Sequence, residues 1–395
     1  MYEEGQVESD VVVVGMGYTG LPMAVAAARR GLRVVGVDSS AARVAEIVAG
    51  EPGCGRTTVA EVELAALLSG PLCVRTGDIP HAPVYVLCVP SRDLAVAVDS
   101  ISPLLRAGDL VIVQSTCPPG MIEDFVVSRI SGSVDGEVHI VHSPVRINPG
   151  PDHTTSALRT VAGLTPDALG KGLRFLRQLG EEVIPVSSVR VAELTKVFEN
   201  TFRLVNISLV NELAALCGVS GIDVMEVLAA ARTKPYGFLA HTPGPGAGGD
   251  CVPVCAEFFA AAARRHGAPA RTVEAAIEVN DAVPRSILRR IPVRGRRVVI
   301  AGVTYKPGVA DVRRSAAVRL LEEIRTETEV SYHDPFVPWL RLSDGTELRS
   351  TPPSPDVADL VLVVTRHSGM NVAGFAAPVI DCSSGVPSTV EVSDV

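Results

Sequence analysis

The stretch that most constrains this chain is Val11–Asp38, "VVVVGMGYTGLPMAVAAARRGLRVVGVD". Four successive valines read as a short buried strand, and an alanine-rich helical pattern covers 21–30. A second apolar run then ends at Asp38. Strand, helix and strand within about 30 residues form the unit of a parallel, doubly wound α/β sheet. The turn between the first strand and the helix reads Gly15-Met16-Gly17-Tyr18-Thr19-Gly20. Glycines there permit a tight turn and close backbone approach to an anion, and the helix N-terminus offers free N–H groups to a pyrophosphate. Asp38 stands where a carboxylate accepts hydrogen bonds from ribose hydroxyls, which favours NAD over NADP. The competing reading is a tight strand-to-helix turn with no ligand.

The pattern continues with strands expected at 84–90, 109–116 and 137–144. Each ends at Pro, Ser or Thr, and ligands of such sheets sit beyond the carboxyl ends of the strands. From Val189 to Cys217 the spacing becomes helical, with no proline or glycine before Gly218. At about 1.5 Å per residue this helix is roughly 40 Å long. Further helices are expected at 222–232, 255–266 and 271–283. Apolar strands at 296–305, 329–335, 360–365 and 378–384 then open a second α/β region. The fold class expected is α/β, with two doubly wound domains of the Rossmann type joined by a long central helix. The expected domains are 1–188, 189–284 and 285–395.

With 395 residues the chain is too long for one core. Its net charge of −8 argues against nucleic acid or an anionic membrane surface held by bulk charge. No apolar run is expected to reach transmembrane length, and the acidic start lacks the pattern of a secretory signal, so a cytoplasmic protein is expected. Eight scattered cysteines without framework spacing read as thiols, most of them small buried hydrophobes. No metal site is expected.

Two further features carry chemistry. Lys196 and Asn200 lie one turn apart on one face of the long helix, with Arg203 close to it. A partly desolvated lysine can polarise an oxygen or relay a proton, and an adjacent amide can orient a hydroxyl. A solvated polar face, extended by Asn206, Asn211 and Glu212, is the plainer reading. The stretch "PGPGAGGDCVPVC" places Cys251 between a glycine-rich turn and a helix start. A thiolate there can add to an aldehyde, lose hydride and leave a thioester for water. The alternative is a structural cysteine. A zinc or redox pair with Cys255 is disfavoured by its spacing and by the lack of a second ligand pair.

In order, "VVVVGMGYTGLPMA", "LCVPS", "QSTCPPG", "SPVRINPG", "AELTKVFENTFRLVNISLVNELA", "TKPYGF", "PGPGAGGDCVPV", "TYKPGVADVRRS" and "HDPFVP" occur over nearly the whole chain. Together they resemble the UDP-glucose/GDP-mannose dehydrogenase family. "SPVRINPG" and "TYKPGVADVRRS" look most like the branch acting on UDP-N-acetylhexosamines. The resemblance implies an NAD-dependent enzyme that oxidises a sugar C6 alcohol to a carboxylate in two hydride transfers, through a cysteine-bound intermediate. It also implies a homodimer built on the long helix and a C-terminal domain that holds the nucleotide diphosphate. By position, Cys251 resembles the nucleophile, Lys196 and Asn200 the pair that stabilises the oxyanion, and Thr116 the residue that orients water. Gly15, Gly17, Tyr18, Thr19, Gly20, Asp38, Val89, Ser115 and Arg313 fall at cofactor positions. Arg146, Asn148, Arg203, Gly248, Gly249 and Lys306 fall at substrate positions.

The chain also departs from the family's pattern. Val145 stands where the family has a glutamate that resembles a general base for thioester hydrolysis. Cys255 replaces an aspartate, and Asp250 replaces a histidine beside the nucleophile. After "LCVPS" the usual proline-bearing loop gives way to "RDLAVAVDSISPLL". Valine cannot accept a proton, and loss of positioned proton transfer typically costs about 10²–10⁴ in rate. Two other readings therefore stand beside the uronate-forming enzyme. One is a two-electron alcohol dehydrogenase that stops at an aldehyde or ketone, which the Lys-x-x-x-Asn helix also fits. The other is a non-catalytic protein that binds NAD or a UDP-sugar.

Overall fold

A computed structural model describes residues 9–53, 59–132, 134–147 and 158–390. The chain divides into two compact units, Met1–Val197 and Phe198–Val395.

In the first unit, β1 (Val11–Val14) runs into α1 (Gly20–Arg29) and returns as β2 (Val34–Val37). All four residues of β1 are buried, as expected for a strand covered on both faces. Next come α2 (Ala41–Val48), α3 (Glu61–Leu68), β3 (Leu72–Arg75), β4 (Val84–Leu87), α4 (Leu94–Ile101) and β5 (Leu110–Val113). A helical turn at Ile122–Val126 leads into α5 (Val127–Ile130), and β6 (His139–His142), β7 (Arg159–Gly163), α6 (Pro166–Gln178) and β8 (Val183–Pro185) complete the unit. The sheet order is β3-β2-β1-β4-β5-β6-β7-β8. It is parallel through β6, β7 runs antiparallel to β6, and β8 is parallel to β7. Small side chains on α1, Ala24, Ala27 and Ala28, bring that helix close against the sheet.

The expected strands are present but shorter, because their ends are already turn: the run 84–90 is strand only at 84–87. Strands β3, β7 and β8 were not anticipated. β8 is three residues long with a proline, a sequence compatible with an edge position only.

Helix α7 (Val189–Ser220) is continuous over 32 residues, and the boundary between the units falls within it. It is long and apolar enough, by length and composition, to cross a membrane, which corrects the expectation that no segment reached that length. Its buried polar residues include Glu193, Lys196, Asn200 and Asn211.

The second unit continues with α8 (Val224–Arg232), α9 (Val252–Arg265) and α10 (Arg271–Leu288), which runs through the buried Pro284. Helix α9 begins three residues before the expected start, with Pro253 in its first turn, where the missing N–H has no intrahelical partner to lose. Then follow β9 (Val298–Ala301), α11 (Ala316–Ile324), β10 (Val330–His333), the hairpin strands β11 (Trp339–Arg341) and β12 (Glu347–Arg349), β13 (Leu360–Val363), β14 (Val379–Asp381) and β15 (Ser388–Val390). The main sheet order is β10-β9-β13-β14-β15, parallel except for β15.

Candidate active site

The glycine loop of the first unit forms a cradle. Gly15 has φ +90°, and a Cβ there would lie 2.9 Å from both Cys88 O and Val89 Cγ1. A Cβ on Gly20 would lie 1.7 Å from Gly15 O, so the first turn of α1 can sit against the loop only with glycine. Around Gly17 there is open space on the side where a Cβ would project. Thr19 is the N-cap of α1, but its side chain makes no cap bond to the helix. Tyr18 is partly exposed. This backbone shape fits a dinucleotide pyrophosphate at a helix N-terminus.

Asp38 follows β2, and both of its oxygens are held. Oδ2 accepts the Met16 N–H at 2.7 Å and Oδ1 the Ser40 N–H at 2.9 Å. The carboxylate therefore fixes the glycine loop, at the position expected to meet the ribose. The buried Arg43 was not singled out from sequence. Its Nε donates to Met16 O at 3.0 Å and its Nη2 to Pro52 O at 2.8 Å, bracing the same loop from α2. Nothing local in "AARVAEIV" signals that role. Ser115, just past β5, donates from Oγ to Val89 O at 2.7 Å and ties two expected cofactor positions together.

Thr116 follows, partly buried, and then Cys117, buried with its thiol pushed well above the ordinary range. On α7 the Lys196 ammonium has no hydrogen bond or ion pair among the described residues, although the residue is only 9% exposed. Arg146 donates to Leu158 O, and Val145 beside it is apolar and partly buried. Asn148 lies outside the described residues.

In the second unit Cys251 is the exposed N-cap of α9. The seven described cysteines are free thiols, and Cys88, Cys117, Cys217, Cys255 and Cys382 are buried. Burial pushes the Cys88 and Cys382 thiols up to about 12, which leaves them inert as nucleophiles at neutral pH. The amide of Asn200 lies 3.5 Å from Cys251 O and donates to Cys255 Sγ at 3.2 Å. Asn200, Cys251 and Cys255 thus form one cluster, whereas Arg203 is exposed.

The loop before Cys251 is pinned at four points. Gly244 N–H donates to Asn211 Oδ1 at 2.9 Å. Ala247 N–H donates to Asn280 Oδ1 at 2.7 Å, and Asn280 Nδ2 donates back to Ala247 O at 3.2 Å. Gly249 N–H donates to Arg313 O at 2.9 Å. Gly248 and Gly249 lie on Tyr305, where a Cβ would meet its Cβ at 2.8 Å and its ring at 3.1 Å. That packing sets the thiol loop beside the turn carrying Lys306, whose carbonyl accepts from Thr304 Oγ1 at 3.0 Å. Nothing local in the sequence singles out Asn280, and helical spacing places Asn211 on a polar face with Asn206 and Glu212; both are buried. Asp250 pairs with Arg313 at 2.5 Å, and Asp311 holds the same guanidinium through Nε and Nη2. The carboxylate next to the thiol therefore shares one guanidinium with Asp311, and the three groups together keep one negative charge.

Family models for the UDP-glucose/GDP-mannose dehydrogenases match in all three parts. The NAD-binding domain matches residues 9–168, the central domain 190–282 and the UDP-binding domain 299–379. The chain belongs to the UDP-glucose/GDP-mannose dehydrogenase family. It is an NAD-dependent oxidoreductase acting on CH–OH groups of nucleotide sugars. This dehydrogenase is 33% identical to a UDP-N-acetyl-D-glucosamine 6-dehydrogenase of Pseudomonas aeruginosa, over 91% of this chain and 90% of the other. It is 31% identical to an NDP-N-acetyl-D-galactosaminuronic acid dehydrogenase of Ralstonia nicotianae, covering 90% of each. Among solved structures, a UDP-D-ManNAc dehydrogenase from Pyrococcus horikoshii superposes with a TM-score of 0.79 at 26% identity, covering 95% of this dehydrogenase and 96% of that chain.

Proposed function

We propose that this dehydrogenase oxidises the C6 alcohol of a UDP-N-acetylhexosamine toward the uronic acid, with Cys251 as the covalent nucleophile. The observation that carries the reading is the exposed Cys251 thiol at the N-terminus of α9, on a loop pinned by two buried asparagines and beside the Asn200 amide. The relatives' substrates support the N-acetylhexosamine, and the UDP-binding match supports the nucleotide.

NAD, cradled by Gly15, Gly17 and Gly20 with Asp38 at the ribose, Val89 and Ser115 alongside and Arg313 contributing, supplies the hydride acceptor. Lys196, buried and without a partner among the described residues, stabilises the alkoxide as the hydroxyl proton leaves O6, and loss of a first hydride from C6 to the nicotinamide would give the aldehyde. The Cys251 sulfur then adds to the aldehyde carbon, forming a C–S bond, and its proton passes to the oxygen. Loss of a second hydride and that proton leaves a thioester. Water oriented by Thr116 attacks the thioester carbon, the C–S bond breaks, and the carboxylate and the thiol are released. Arg146, Asn148, Arg203, Gly248, Gly249 and Lys306 are assigned to sugar and diphosphate binding. The division 1–188, 189–284 and 285–395 is adopted for this reading. A cytoplasmic homodimer that buries the exposed Phe198, Leu209 and Leu216 of α7 belongs to it too.

A second reading is favoured by Val145 and Cys255. Neither accepts a proton as a carboxylate does, and Cys255 Sγ is itself the acceptor of the Asn200 amide. On that reading the product is the aldehyde. The deciding experiment counts NADH formed per sugar consumed, with product mass, over UDP-hexoses and UDP-N-acetylhexosamines. Two NADH and a uronate support the first reading, and loss of the second NADH in Cys251→Ala assigns the thiol. One NADH with aldehyde supports the second. No NADH with any sugar overturns both and leaves a binding protein.

A further inference from the structure

Among the described residues of the first unit, Glu193 ties the segment just after Thr116 to the helix carrying Lys196 by hydrogen bonds at both carboxylate oxygens. Its residue exposure is 0%. Oε2 accepts the Gly120 N–H at 2.6 Å and Oε1 the Ile122 N–H at 2.8 Å. These N–H groups open the helical segment after Gly120, which lacks a cap of its own: its N-cap is Met121, with no side-chain cap bond. Gly120 has φ +92°, and Pro118 and Pro119 precede it, so little slack separates Thr116 from the clamp. Glu193 and Lys196 are three residues apart on α7, about 4.5 Å along its axis.

We propose that Glu193 is a positioning residue for the oxidation, its buried carboxylate fixing the Thr116 turn at a set distance from Lys196. This deepens the functional reading above and rests on it for the reaction, though the clamp itself does not. A carboxylate suits the role because both its oxygens accept. Glutamine offers one acceptor and would turn N–H groups toward a donor. Other charged or titratable groups around Glu193 are Arg190 on its own helix, Glu123 on the capped segment and Cys117 in the turn; Arg190 is held by Glu123 and Asp124. Burial, opposed by the two backbone N–H bonds, pushes the Glu193 carboxyl up to about 7. The clamp therefore weakens as pH falls through that value.

The test uses the full chain and Glu193→Gln in two measurements. The first is alkylation of buried Cys117 in the native protein, followed by peptide mass and independent of turnover. We expect labelling to quicken at least tenfold in the variant; unchanged protection overturns the clamp. The second is steady-state kinetics across pH 5.5–9. We expect kcat to fall 10- to 100-fold with KM for NAD within threefold, and the acid limb near pH 7 to flatten. Unchanged kcat, or loss confined to KM, overturns the positioning role. Should Glu193→Gln not fold, Glu193→Asp, which keeps both acceptors on a shorter stem, replaces it. Glu193→Asp is expected to show intermediate Cys117 labelling and kcat, and wild-type values in both would overturn the proposal. A wild type that oxidises no UDP-sugar refutes the functional reading, while Cys117 labelling still decides the clamp.

Discussion

Replacing Asn280 should loosen the thiol loop by a calculable amount. The side chain is 2% exposed, and it makes two reciprocal bonds to the backbone of Ala247, four residues before Cys251. A net contribution of about 1 kcal/mol per bond, with a further penalty of about 1–3 kcal/mol if an Ala247 group is left without water, gives roughly 2–5 kcal/mol for Asn280→Leu, which has the same branched shape and no polar atoms. Asn280→Asp keeps the acceptor for Ala247 N–H but places a second acceptor against Ala247 O, so it should fall between wild type and leucine. For a unit of this size, about 2–5 kcal/mol corresponds to a fall of about 5–12 °C in Tm. The assay is calorimetry on the three proteins, with the rate of Cys251 alkylation measured below the transition. Tm should order wild type, Asp, Leu, and alkylation should change in the same order because the loop no longer holds one geometry. A Tm within 2 °C of wild type for Asn280→Leu, with unaltered alkylation, would refute the claim that Asn280 anchors this loop.

Gly20→Ala should abolish NAD binding or unfold the first unit, since its Cβ would overlap Gly15 O; calorimetric NAD titration and circular dichroism separate the two outcomes. Gly17→Ala, with nothing within 4 Å, should fold normally yet weaken NAD at least tenfold, and unchanged affinity would argue against the pyrophosphate lying there. Val145→Glu combined with Cys255→Asp should raise the share of acid product, measured by mass spectrometry, and an unchanged product ratio would count against the role given to the missing carboxylates. His142 is buried, and burial holds its ring down at about 4. The unfolded chain therefore binds a proton below about 6.5 that the folded chain refuses, so this group costs stability as pH falls from 6.5 toward 4, at up to about 1.4 kcal/mol per pH unit. Burial of Glu193 acts in the opposite sense between about 4.5 and 7. The His142 contribution is accordingly read as the difference in Tm slope between wild type and His142→Leu over pH 5–7.

The glycine cradle was legible because its signals are local: a valine strand, three spaced glycines and an alanine-rich helix all lie within 20 residues. The long helix was legible from its spacing alone. What pins the sites was not. Asn280 reaches a loop 33 residues away and Glu193 a turn more than 70 residues away, and nothing in the neighbourhood of either announces the partner. Asn211 looked like one more surface polar residue because helical spacing gives a face, not what covers it; its Oδ1 in fact holds Gly244. Strand β7 was hidden by Arg159 and Thr160, polar residues that are nonetheless buried. The departures at Val145 and Cys255 were visible in the sequence, but that Cys255 is the buried acceptor of the Asn200 amide was not.

Each sheet begins with an inner strand and finishes at an edge, and that has a consequence for biosynthesis. The first sheet has all its strands once Pro185 has left the ribosome, whereas the second opens only at Val298 and closes at Val390. At about 5–20 residues per second, roughly 10–40 s of translation separate the two completions. Through that interval Val283 and Ile287 of α10, which share a core with the second sheet, emerge uncovered. The first unit has to hold together alone for as long.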